Sequence, residues 1–389
     1  MVDLARLRRG RLARVQREME ARQIGALVLT DIVNIRYCTG VAVMPLWTAV
    51  NIAHYVVIPV MGDPVIFEYG GAEFRQRPFW PDVRPSMFWQ ARVTDADSPG
   101  KAAAWAKQIE AVLVERGLAG ERIGIDVLDC NGFLALQAQG LELTDADRAM
   151  SAARMIKLPE EIELMKRSCA VADSALRDME HAIHPGISEN ELLAVFWHRV
   201  LALGGEHCFT RLIVSGHKTN PWLQEADDKK VAQGELVAID TDMTGPDGYV
   251  ADFSRTFLCG DEASAEQKEA YLVAHDFVQG CAALIRPGLA FSDFVERCPS
   301  LPPSFREQAY GVIVHGIGLD DESPNVPPPG DPYTEMPEGE FRENMVVAVE
   351  CYAGKVGARE GVKLEDEVWV SAGGPVILSQ YHYDSKLLG

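Results

Sequence analysis

Apolar positions change their period along this chain, and each change marks an element. Short apolar, β-branched runs at Ala26 to Thr30, Tyr55 to Val60 and Val65 to Tyr69 have the pattern of buried strands. Ala102 to Glu115 is spaced as an amphipathic helix, and Arg122 to Val127 returns to a strand. Met1 to Gly25 is Arg-rich but carries Asp3, Glu18 and Glu20, which predicts a surface helix. The alternation ends near Leu143. A polar stretch from Thr144 to Lys157 then leads into Leu158-Pro159, dividing an α/β domain over 1–150 from a second domain over 151–389.

The second domain repeats one plan. Ile162, Met165, Cys169, Ala172, Leu176 and Met179 form one helical stripe that stops before Pro185-Gly186, and Ser188 with Glu191 predicts a capping box opening the next helix. Ser264 and Gln267 open another helix carrying Leu272, Phe277, Val278, Cys281 and Leu284, which runs into Pro287-Gly288. Helix, Pro-Gly, helix, then strands, twice over, is the signature of an internal duplication with pseudo-two-fold symmetry. Such symmetry predicts a site on the axis, fed by strands from both halves.

Two predicted hairpins carry acids where a structural strand would place Val or Ile. Glu235 to Asp242 and Tyr249 to Phe257 flank a Gly245-Pro246-Asp247-Gly248 turn. Asp240 and Asp242 share a strand face, and Asp242 lies opposite Asp252 when the turn centres on 247. Val346 to Glu350 and Val362 to Val370 form the second hairpin, in which Glu350 and Glu365 face each other. His315 ends the apolar run Gly311 to Val314. Read singly, each acid fits a solvated strand edge and His315 a satisfied core histidine. Taken together they form an oxygen-rich set with one imidazole, suited to Fe, Mn, Co or Zn, and their mutual repulsion demands a cation or protons.

Composition narrows the function. The 389 residues carry a net charge of −20, which argues against a phosphate-backbone partner. No stretch approaches the roughly 18 uncharged apolar residues of a bilayer span, so no membrane association is expected. Eight cysteines are scattered singly without a CxxC pair, as expected of free thiols in a cytoplasmic protein.

The order Asp, Asp, His, Glu, Glu on two hairpins resembles the pita-bread superfamily of aminopeptidase P, prolidase, methionine aminopeptidase and creatinase. Asn34-Ile35-Arg36-Tyr37 resembles that family's N-terminal domain, and the DFSRTF and HGIGL stretches its catalytic domain. The resemblance implies a creatinase-like N-terminal α/β domain followed by a duplicated pita-bread catalytic domain, and a homodimer. The departures are equally specific. The peptidases' histidine upstream of the first metal strand falls here at Leu223, their second histidine falls at Glu322, and their Glu-Pro-Gly is replaced by Glu350-Cys351-Tyr352. Loss of both histidines removes the groups that handle protons at a peptide bond. These departures, with the extra Asp242 and the stretches Ser215 to Glu225, His315 to Glu322 and Val362 to Val368, resemble the dimethylsulfoniopropionate lyases of the DddP branch.

That resemblance implies β-elimination of dimethylsulfoniopropionate to acrylate and dimethyl sulfide. Asp240, Asp242, Asp252, His315, Glu350 and Glu365 would hold a transition metal, iron first, with Zn, Mn or Co as alternatives. Asp321 would be the base, and Trp47 and Tyr310 would face the onium group. Read without the resemblance, Asp321 also fits a loop cap, Tyr310 a core position and Trp47 a domain or dimer interface. Trp222 is a further candidate wall residue, and Arg255 a candidate to orient a metal carboxylate. A hydrolase acting on Xaa-Pro peptides or a small C–N substrate is the alternative activity, and a binding protein that has lost catalysis is a third possibility.

Overall fold

A computed structural model describes residues 2–42, 44, 52–331 and 334–389, and divides the chain into units at Arg154/Met155. Trp47 lies outside the described residues. In the first unit, helix α1 (Leu4–Ala21) starts where the Asp3 carboxylate accepts the Ala5 and Arg6 amides, and it buries Leu7, Leu12, Val15 and Met19. Strands β1 (Ala26–Leu29), β2 (Tyr55–Pro59), β3 (Val65–Glu68), β4 (Val83–Pro85), β5 (Ile123–Ile125) and β6 (Leu143–Asp145) form one mixed sheet. Its order is β4-β3-β2-β1-β5-β6.

Helices α2 (Ile32–Thr39), α3 (Ala91–Thr94), α4 (Ser98–Glu115) and α5 (Cys130–Ala138) complete the α/β pattern, with Trp105 of α4 stacked at 4.2 Å on Trp89. The polar stretch before Leu158 is not a plain connection. It holds strand β6 and helix α6 (Asp147–Met155), which buries Ala149, Met150 and Ala153. Its apolar face is largely alanine, too weak a hydrophobic signal to read from periodicity alone.

The second unit repeats its plan in three dimensions. Helices α7 (Pro159–Ala182) and α8 (Glu189–Ala202) are followed by β7 (His207–Cys208), β8 (Ile213–Ser215), β9 (Leu236–Asp240), β10 (Met243–Thr244), β11 (Val250–Ala251) and β12 (Ser254–Leu258). Helices α9 (Ala265–Leu284) and α10 (Phe291–Arg297) are followed by β13 (Val314–Ile317), β14 (Asp321–Val326), β15 (Val346–Gly354), β16 (Gly361–Ser371) and β17 (Gly374–Ile377). The order β8-β9-β12 in one half matches β13-β15-β16 in the other.

The helix starts match too. Ser188 and Ser264 each close a capping box, with Glu191 and Gln267 respectively. Gly186 and Gly288 occupy the left-handed region at φ +95° and +86°, and their amides donate to Val231 and Phe341 carbonyls. The core under the second half is aliphatic and aromatic, with Phe291 and Phe294 packed edge-on against Phe341.

Register decides where the acids meet. Glu350 pairs directly with Glu365 across β15 and β16. In the first hairpin Asp240 pairs with Ser254 and Met243 with Ala251, a constant register that sets Asp242 against Asp252. The ladder is broken there, because β9 stops at Asp240 and Asp242 turns to φ +34°. Asp240 and Asp242 therefore do not sit on one continuous strand, contrary to the sequence pattern. Ser264→Ala should lower stability by about 1 kcal/mol through loss of the α9 cap, read as a shift in the urea midpoint without a change in slope.

Candidate metal centre

Three overlapping groups of donor atoms gather where the two hairpins meet β13 and β14: Asp240, Asp252 and Glu365; His315, Glu350 and Glu365; and Asp252, His315 and Asp321. Within each group the donor atoms lie within 4.8 Å of one another. His315 Nε2 stands 3.5 Å from Asp252 Oδ2, 3.6 Å from Glu350 Oε1 and 3.5 Å from Glu365 Oε1. Its other nitrogen, Nδ1, is 3.8 Å from Asp321 Oδ1.

The HGIGL stretch permits this approach. A Cβ on Gly316 would lie 2.2 Å from the Ser323 carbonyl oxygen, and one on Gly318 would lie 2.3 Å from Glu322 Oε1. Glycine at both positions lets β14 fold over β13 and bring Asp321 back to His315.

Asp242 falls in none of these groups among the described residues. Its carboxylate is held 2.5 Å from the Thr210 hydroxyl, at the break in the ladder. Asp321 has an exposed side chain at the mouth of the site. Its carboxyl is nevertheless crowded enough that desolvation lifts its pKa, with His315 opposing.

Burial also raises Asp240, Asp242 and Asp252, and pushes Glu350 up to about 7. Glu365 moves the other way. Burial acts upward on it, but Lys363 and then His315 outweigh burial and pull it down. On His315, burial is overcome by the Glu365 hydrogen bond and the neighbouring carboxylates, and its pKa rises to about 10.

Lys363 is the residue that the sequence analysis missed. Its ammonium is fully buried, 2.9 Å from Glu350 Oε2, 3.0 Å from Glu365 Oε2 and 3.3 Å from Asp240 Oδ2. It also lies 3.0 Å from the Ser254 hydroxyl, which is 2.7 Å from Asp240 Oδ1. The signal was present in VKLEDE: Lys363, Glu365 and Glu367 alternate onto one strand face.

Aromatic rings cover the ammonium. Tyr310 has its ring centre 5.0 Å away and Trp222 6.0 Å away, and Trp222 stacks on Tyr352. Tyr310 and Glu350 also line a cavity of about 540 Å³.

Arg255 acts through the backbone. Buried against Asp366 Oδ1 at 2.9 Å, it donates to the Glu365 carbonyl at 2.6 Å. It thus fixes the strand that carries Glu365 without touching that carboxylate. Glu322 is engaged by the buried Lys157 ammonium and accepts the Leu319 amide.

The donor set fits a metal ion. Asp252 Oδ1 is buried without a hydrogen-bond partner among the described residues, and such an atom calls for a cation. Carboxylates with one imidazole suit a first-row transition metal.

Fold and site together define a two-domain α/β protein with an acidic, single-histidine metal-type centre between duplicated hairpins. Residues 163–372 match metallopeptidase family M24, and residues 11–156 match the creatinase/prolidase N-terminal domain. The chain belongs to the M24, or pita-bread, family, in its DddP branch.

It is 31% identical to dimethylsulfoniopropionate lyase DddP of Roseovarius nubinhibens, over 100% of this chain and 89% of that protein. It is 29% identical to the DddP of Roseobacter denitrificans, over 100% and 88%. A dipeptidase structure from Pyrococcus horikoshii superposes with a TM-score of 0.79 at 21% identity, covering 96% of this chain and 99% of that one; this likeness concerns the fold alone.

Two outcomes follow from the charges. Glu350 near 7 and His315 near 10 hold protons that a metal ion must displace. Calorimetry in buffers of different ionisation enthalpy should therefore show net proton release on ion binding near neutral pH, with affinity rising as pH increases. Lys363→Met should lower the stability of the metal-free protein by about 3–5 kcal/mol, because it strands buried carboxylates. Added metal should restore part of that loss, read as a recovered Tm.

Proposed function

We propose that this enzyme is a metal-dependent carbon–sulfur lyase that cleaves dimethylsulfoniopropionate to acrylate and dimethyl sulfide. The observation that carries the reading is the state of the second peptidase histidine position. Glu322 stands there and is tied to Lys157 in a buried pair, so it offers no free base, whereas Asp321 beside it keeps an exposed carboxylate next to His315. The overall identity to two DddP lyases supports the same reading.

Asp240, Asp252, His315, Glu350 and Glu365 would hold the metal, with Asp242 closing the set and iron the favoured ion. When bound, the metal supplies a Lewis acid that binds the substrate carboxylate and stabilises charge building toward it. Asp321 takes the proton from the α-carbon. The C–H electron pair becomes the new Cα=Cβ bond, the Cβ–S bond breaks, and its electrons leave with neutral dimethyl sulfide.

The raised pKa of Asp321 suits proton abstraction better than an ordinary, weakly basic carboxylate would. The ring of Tyr310 faces the sulfonium, and Trp47 is assigned the same role by resemblance. The family resemblance also supports a homodimer, and eight singly placed cysteines without a CxxC pair support a cytoplasmic setting. Among the described residues no helix is long and apolar enough to cross a membrane.

Iron-loaded protein should release dimethyl sulfide, measured by headspace gas chromatography, and Asp321→Ala should lower that rate about 10²-fold or more. Full activity in the variant would remove Asp321 from the mechanism. Hydrolysis of Xaa-Pro dipeptides with no dimethyl sulfide would replace the lyase reading with a hydrolase.

A further inference from the structure

Behind the strand that carries Glu350, three cysteines share one apolar cluster. Cys281 is buried in α9, Cys351 is buried in β15, and Cys298 sits half-buried where α10 ends. Cys281 and Cys298 are seventeen residues apart in sequence, yet their sulfurs lie 3.1 Å apart.

A disulfide is about 2.05 Å long, so bond formation requires the pair to close by only about 1 Å. The backbone around them is closely packed. The Cys298 amide donates to Phe294 at 2.9 Å, and a Cβ on Gly280 would lie 2.5 Å from Pro299 Cγ. The segment after α10 is thus pressed onto the helix turn that carries Cys281.

Accessibility differs between the two sulfurs. Cys298 is part-exposed and meets a small oxidant first. The contact with Cys298, and then burial, push the Cys281 thiol up, so Cys281 gives up its proton only as it attacks the oxidised Cys298.

We propose that Cys281 and Cys298 form a reversible oxidation site, a dithiol that a peroxide converts to a disulfide. The peroxide oxygen transfers to Cys298, giving a sulfenic acid while the peroxide is reduced to water or an alcohol. The Cys281 sulfur then displaces that oxygen, the S–S bond forms, and a second water leaves with the Cys281 proton. The two thiols lose two electrons and the peroxide gains them.

The consequence reaches a cavity beside the candidate site. Pro299, Ser300 and Leu301, directly after Cys298, line the same 540 Å³ space as Tyr310 and Glu350. Oxidation therefore staples one cavity wall to α9.

The test is peptide mapping of the full chain, with and without bound metal, after brief treatment with hydrogen peroxide and then alkylation. A linked pair of peptides containing Cys281 and Cys298, lost on adding dithiothreitol, is the expected result. Cys298→Ser should abolish the link and leave Cys281 alkylated, with far-ultraviolet circular dichroism unchanged. Both thiols recovered unlinked, Cys298 oxidised onward to the sulfinic acid without a partner, or Cys281 linked elsewhere would each overturn the proposal. If Cys298→Ser fails to fold, Cys298→Ala read by the same mapping takes its place.

Discussion

Four carboxylates facing one another inside a protein repel strongly, and the rest of the second unit is arranged around that repulsion. Asp240, Asp252, Glu350 and Glu365 are buried, so water screens them little, and their charge must be matched locally. Two internal cations do part of this. Lys363 reaches Asp240, Glu350 and Glu365 from one side, and His315 reaches Asp252, Glu350 and Glu365 from the other. The balance is uneven, which is why Glu365 is pulled down while its neighbours are pushed up. The unpartnered Asp252 Oδ1 marks the side where a metal ion fits.

The duplicated scaffold supplies the rigidity such a cluster needs. Each half contributes a three-strand set in the same order, and the carboxylates meet where the two sets face each other. Arg255 ties them together by donating to the Glu365 backbone and pairing with Asp366, and the Thr256 hydroxyl donates to the Lys363 carbonyl. These contacts hold β16 by its main chain, leaving the side chains Lys363 and Glu365 free to face the site. Geometry at the centre is thus set by hydrogen bonds outside it.

The departure from the peptidases is physical as well as compositional. Where they carry a second histidine, this chain has a glutamate locked to a buried lysine, and the neighbouring aspartate at the mouth keeps an exposed carboxylate. Glu322 is held in a buried pair, and Asp321 beside it is exposed. Trp222 and Tyr310 then wall the ammonium of Lys363 with aromatic faces, and Tyr352 stacks on Trp222.

Local pattern located the helices α7 and α9, the capping box at Ser188 and the register that pairs Glu350 with Glu365, because strand and helix periods and cap spacings are local properties of the chain. It gave His315 its strand. It did not reveal that β9 ends at Asp240, since a ladder break between two sheets depends on partners distant in sequence. Helix α6 was hidden because alanine carries little hydrophobic contrast. Lys363 was visible as an inward position in VKLEDE, but an isolated lysine reads as solvated until the acids around it are placed. Which carboxylates touch His315, how Glu322 is consumed by Lys157, and which pKa values rise or fall were decided by tertiary structure alone, because charge interactions act through space and not along the chain.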